Sequence, residues 1–120
     1  MGRTGDDMSR KPRAHSEQDL LPIPTVGEIL LEEYLKPLEL SQDALARAIG
    51  VPLRRINEIV LGKRAVTADI DLRLTRYFKL FEGMFLRMQI DIDLRVQRRL
   101  LGDKLDFIKP RIRSSTLIAL

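Results

Sequence analysis

Cysteine is absent from this 120-residue chain, and histidine occurs once, as His15. No cysteine means no disulfide, no thiol nucleophile and no thiolate ligand, and a lone histidine in a polar stretch argues against a metal cluster or a histidine-based triad. No run of 18 apolar residues is present, so no segment reads as a membrane span, and the N-terminus lacks the apolar stretch of a signal peptide. A cytoplasmic location is the expectation. Also missing are a phosphate-binding glycine loop, a nucleophile elbow and a metal-ligand motif. Glu32 and Glu33 are adjacent and diverge by about 100° on a helix, and Asp69 and Asp71 also point apart, so neither pair makes an acid–base or metal site. No catalytic, cofactor or metal residue is assigned, and the chain is not expected to be an enzyme.

A surplus of positive charge is missing where a polyanion binder would need it. Lysine and arginine number 21 against 17 acids, net +4, which favours a polyanionic partner. Yet residues 1–24 carry four charges of each sign and residues 25–66 six of each, so the whole excess follows residue 66. Local sign restores the case. Between residues 50 and 64, Arg54, Arg55, Lys63 and Arg64 face only Glu58.

What the chain does have is organised around Ser41 to Gly62, SQDALARAIGVPLRRINEIVLG. Ser41 can cap a first helix through its hydroxyl, and Ala44, Leu45, Ala46, Ala48 and Ile49 supply helix formers with a narrow apolar stripe. Gly50 suits the left-handed reversal that ends it, and Pro52 the first position of a second helix. On that second helix the 3.6-residue period places Leu53, Ile56, Ile59 and Val60 on a packed side. Arg54, Glu58 and Leu61 point the other way, flanked by Arg55 and Asn57. Arginine is the commonest bidentate reader of guanine and asparagine suits adenine, so Arg54, Arg55, Asn57 and Glu58 are the candidate base readers in a major groove. Lys63 and Arg64, just beyond, suit phosphates.

The stretch resembles the helix-turn-helix of the phage-repressor (XRE) superfamily, and Pro24 to Pro110 resembles the HigA-type antitoxins. The resemblance rests on GEILLEEYL, LSQ, RRINEI and GKRAVTAD together, with LGDKLDFIKP later, and covers about 87 residues. It implies an all-α fold of about five helices with a C-terminal helical extension, a homodimer, a palindromic double-stranded DNA operator, and no enzymatic activity. It also implies a small basic RNA-cleaving toxin that the antitoxin neutralises while repressing its own operon. In this superfamily a glutamine at the place of Gln42 contacts the DNA backbone, and free first-turn N–H groups beside it favour a phosphate on dipole grounds. Arg47 is a weaker phosphate candidate. The residues themselves reveal no toxin, so a stand-alone XRE-type regulator, or a protein-interaction module that has lost DNA binding, stand as alternatives. Glu58 and the charge balance of residues 25–66 speak for the latter.

Around this centre, residues 1–21 read as a flexible polar arm, 22–80 as the DNA-binding domain and 81–120 as a C-terminal helical extension that dimerises. Thr25 and Glu28 form a capping box for a helix from Val26 to Leu35, with Val26, Ile29, Leu30 and Tyr34 inward and Glu32 paired to Lys36. Thr67 caps a helix to Phe78, with Ile70, Leu74, Tyr77 and Phe78 toward the core. Asp71 and Thr75 stand where the HigA-type family usually has alanines, so this helix is rotated or packs differently there. From Leu80 to Leu101 the pattern is helical, with an ill-defined start because the Ser-Pro-like cap of the relatives is missing. Phe85, Met88, Ile92, Leu94 and Val96 do not share one stripe, so burial on two sides is expected, with Phe85, Met88 and Ile92 as dimer or partner contacts. Arg95, Arg98 and Arg99 complement the helix C-terminus or an anionic partner. Gly102 stops that helix, residues 103–112 form a short last one, and the apolar TLIAL end docks on its own chain or on a partner.

Overall fold

A computed structural model describes residues 21–113, so the N-terminal arm with His15 and the TLIAL end lie outside the described residues. Five helices and no strand occur among them. The first, α1, begins as an α-helical turn, Val26–Ile29, and continues as a π-helix, Leu30–Leu35. Thr25 and Glu28 form the reciprocal capping box: the hydroxyl accepts from the Glu28 amide at 3.0 Å, and the carboxylate accepts from the Thr25 amide at 3.1 Å. The expected Lys36–Glu32 ion pair is present at 2.8 Å. Bonding over five residues, as in Lys36 N–H to Leu31 O at 2.9 Å, brings Leu30 and Leu35 onto one buried face.

Helix α2, Gln42–Ile49, starts at Ser41, whose hydroxyl accepts from the Ala44 amide at 3.0 Å. It ends at Gly50 in the left-handed conformation, φ 75°. The side chain of Arg73 closes the same end, its Nη1 donating to the Ile49 carbonyl at 2.7 Å. Helix α3, Leu53–Val60, follows at once. Pro52 sits one place earlier than expected, with extended ψ of 142°, flanking the helix instead of opening it. Ile56 and Ile59 are buried and Val60 partly so, but Leu53 is 40% exposed and not packed as its angle implied. It is the first residue of the helix.

Helix α4, Ala68–Phe78, is capped by Thr67 and buries Ile70 and Leu74. Tyr77, expected inside, is exposed, its ring edge-on to Phe78 at 5.1 Å. Asp71 and Thr75 are both fully buried. Asp71 explains where α5, Met84–Leu101, begins: its carboxylate accepts from the amides of Gly83 at 2.6 Å, Phe85 at 2.9 Å and Leu86 at 3.2 Å. Three first-turn donors that a local serine would share are taken by a carboxylate from the preceding helix, which also favours the dipole there. Helix formation wins over alternation at Ile90–Leu94, and Gly102 ends α5. Beyond it residues Gly102–Phe107 make a 3-10 segment, shorter than the final helix expected over 103–112.

The core joins Leu30, Leu35, Leu45, Ile56, Ile59, Ile70, Leu74 and Phe85, all essentially inaccessible. Tyr34 lies against Phe78 at 5.1 Å and Phe85 at 5.5 Å. Phe85 is therefore an interior residue and not a dimer or partner contact as expected. It sits in the first turn of α5, under Tyr34, where no partner chain can reach it. Met88 and Ile92 pack partly on the same core.

Candidate nucleic-acid interface

The candidate site is built by α2, α3 and the turn after α3. Packing Ile56 and Ile59 inward forces the opposite side of α3 outward, and Arg54 accordingly stands in solvent with 85% of its side chain exposed. Asn57 and Glu58, partly exposed, share with Arg54 the side of α3 away from its buried residues, whereas Arg55, also partly exposed, lies four residues before the buried Ile59 and flanks that side. Lys63 and Arg64 are exposed in the turn that follows. Gln89 of α5 fixes that turn: its Oε1 accepts from the Val66 amide at 2.8 Å and its Nε2 donates to the Val66 carbonyl at 3.0 Å.

Glu58 organises the middle of the face. Its Oε2 accepts from Arg54 Nε at 3.0 Å and its Oε1 from Arg64 Nε at 2.8 Å, and only 24% of its side chain is exposed. The bond from Arg64, then that from Arg54, hold its carboxyl below the ordinary carboxylate range, against a smaller upward push from desolvation. Asn57 Nδ2 donates to Gln42 Oε1, joining the start of α2 to α3. An asparagine amide keeps a second N–H and its carbonyl oxygen, so this bond leaves the donor–acceptor pair that matches an adenine edge. Arg47 pairs with Asp43 one turn before it, both side chains more than half exposed. A pair of that kind contributes at most about 1 kcal/mol and is readily exchanged for a phosphate.

Structure thus joins Gln42 to Asn57, and Arg54, Lys63 and Arg64 to Glu58, with Arg55 on the flank of α3 beside them. Arg95, Arg98 and Arg99 lie elsewhere, exposed on the far half of α5, with Arg99 donating to the Leu21 carbonyl at 2.5 Å. Sequence reasoning missed the supports. Gln89 had a signal, a polar residue on the helix side of Phe85, Ile92 and Val96; Arg73 had none, because its carbonyl partners lie on α2 and just beyond it. Among the described residues there is no group of acids and histidines able to hold a metal, and no helix long and apolar enough to cross a membrane. An exposed set of arginines and an amide, flanked by cations, can recognise an extended polyanion with hydrogen-bonding edges.

The helix-turn-helix family HTH_3 matches residues 31–80. The chain is 54% identical over 70 residues to Virulence-associated protein I of Dichelobacter nodosus, covering 58% of this chain and 65% of that one, so it spans slightly under two thirds of that relative. Its fold matches the structure described as Pseudomonas aeruginosa antitoxin HigA with higBA promoter, with a TM-score of 0.69 and 32% identity, over 76% of this chain and 100% of that one. It also matches antitoxin GraA in complex with its operator, with a TM-score of 0.70 and 32% identity, over 78% of this chain and 95% of that one.

Proposed function

Since the chain belongs to the HigA antitoxin family of XRE-type helix-turn-helix proteins, we propose that it is an operator-binding repressor and the antitoxin of a two-protein toxin–antitoxin pair. Residues 22–80 are the DNA-reading unit and 81–120 the dimerising extension, and the dimer sets two α3 helices on a palindromic site. The observation that carries the reading is the exposed side of α3. Arg54, Arg55, Asn57 and Glu58 meet base edges in the major groove, while Gln42, Arg47, Lys63 and Arg64 hold phosphates on either side. The antitoxin half rests on family membership: its partner is a small, basic, RNA-cleaving toxin met in the cytoplasm, and the chain itself acts by binding, not by catalysis.

The test is binding of the purified protein to its own upstream DNA and to random duplex across a range of salt. Affinity should fall steeply with salt, and the two duplexes should separate by roughly 10³ or more. Arg54→Ala should lose about 1–3 kcal/mol on the operator and relax one base position, whereas Lys63→Ala should weaken both duplexes alike and flatten the salt slope by about 1. Equal loss on both duplexes for both variants contradicts that division of roles. Equal, weak binding of the wild type to both duplexes contradicts the repressor. A clear operator preference with no toxin gene beside it leaves a stand-alone regulator.

A further inference from the structure

Glu58 stands in the middle of a face assigned to a polyanion, and its own charge opposes that assignment. The carboxylate is not idle: each oxygen is taken by a different arginine, Arg54 from one turn earlier on α3 and Arg64 from the turn beyond it, at 3.0 and 2.8 Å. Neither guanidinium is itself buried, so both are within reach of DNA, yet each already has an anion. Each guanidinium gives Glu58 only its Nε–H and keeps its Nη groups, so a phosphate approaching Arg54 or Arg64 either displaces the carboxylate or bears its repulsion beside it. The reward for that exchange is small on arbitrary DNA, where one carboxylate is merely replaced by one phosphate. At a matched site the exchange is favourable, because a guanine edge accepts from the released arginine and a cytosine amine donates to the released carboxylate.

From this juxtaposition we propose that Glu58 is a specificity-determining residue that occupies Arg54 and Arg64 in the free protein and thereby suppresses binding to DNA of the wrong sequence. The inference rests on the repressor reading but is tested separately from it. Discrimination is a difference between two affinities, and an element that weakens the wrong complex serves it as well as one that strengthens the right complex. The bridge also fixes the direction of both side chains before contact, which lowers the ordering cost in the right complex.

The experiment compares wild type, Glu58→Gln and Glu58→Asp on random duplex and on the chain's upstream DNA, by fluorescence anisotropy across salt, with circular dichroism checking that each variant is folded. Glu58→Gln frees two guanidiniums, so affinity for random duplex should rise about tenfold and the salt slope should steepen by up to about 2. The ratio of operator to random affinity should shrink. Glu58→Asp keeps the charge but is one methylene too short to hold both arginines, and should shift in the same direction as Glu58→Gln. Random-duplex affinity and slope unchanged in Glu58→Gln overturn the proposal, whether or not the wild type prefers its operator. An aspartate variant that matches wild type while glutamine does not overturns the bridging role and leaves only bulk charge. Wild type without operator preference counts against the repressor, while a gain on random duplex in Glu58→Gln would still support suppression by Glu58.

Discussion

At the scale of single residues, two side-chain environments make separable predictions. Because the folded-state pKa of Glu58 lies below its unfolded value, the stability its pairing contributes is complete above the unfolded value of 4.5 and is lost as pH falls through the depressed folded value. Arg64 is the larger cause of the depression and Arg54 the second. A carbon-detected NMR titration of the Glu58 carboxyl should therefore show a midpoint below the unfolded value of 4.5. Arg64→Ala should move it back further than Arg54→Ala, and the reverse order would show that the two bonds are misranked. Gly27 poses a steric question instead. A Cβ there would lie 1.9 Å from the Ile59 carbonyl oxygen and 2.9 Å from Val60 Cα, both backbone atoms that cannot rotate aside. Alanine's higher helix propensity, worth about 1 kcal/mol, opposes that clash but cannot relieve it, since α1 and α3 must move apart. Gly27→Ala should cost about 1–3 kcal/mol net, read as a lower urea midpoint. An unchanged midpoint would mean that the two helices approach less closely.

At the scale of elements, the start of α5 depends on Asp71, one of several contacts that tie this helix to the elements before it. Removing the carboxylate leaves three first-turn amides without their acceptor, two of them in a part-buried setting and one buried. Asp71→Ala should cost about 2–3 kcal/mol, with hydrogen-exchange protection lost first at Phe85 and Leu86. Asp71→Asn, keeping one acceptor oxygen, should fall between. Protection unchanged in the alanine variant would mean that α5 is held by its packing alone. The same contact shows what could be read from the chain and what could not. Caps that obey a local spacing, Thr25 with Glu28, Ser41 and Thr67, were legible, as was the reversal at Gly50, because cap and capped amide are three residues apart. The start of α5 was not, since its cap lies twelve residues back from Gly83 in another helix. Leu35 escaped because its burial follows from five-residue bonding in α1, not from the 3.6 period. The outward row of α3 was legible from angle alone. The hold of Arg64 on Glu58 was not, because it crosses the turn after the helix, six residues apart, where no helical spacing applies.

At the scale of the whole molecule, α5 presents apolar residues in two opposite directions. Phe85, Met88 and Ile92 turn toward the core, while Ile90 and Leu94, at 57% and 49% exposure, turn away from it. Phe107 and Ile108, beyond Gly102, are exposed as well. An 18-residue helix that is apolar on two sides and covered on one has a face left for association. In the proposed repressor that face meets its counterpart on a second copy, and the dimer would carry two α3 helices about 34 Å apart, one turn of DNA. A carboxylate introduced there tests this without touching the interior, because the side chain replaced is already half in solvent. Leu94→Glu should sediment as a monomer, melt at a temperature independent of protein concentration where wild type melts higher as concentration rises, and lose operator affinity far more than random-duplex affinity. The split between the two duplexes matters most: single half-site contacts on α3 survive in a monomer, so only binding that needs both halves of a palindrome should be lost. A Leu94→Glu variant that remains dimeric would transfer the interface to the surface around Phe107 and Ile108, and Phe107→Glu would then be the variant that separates the subunits.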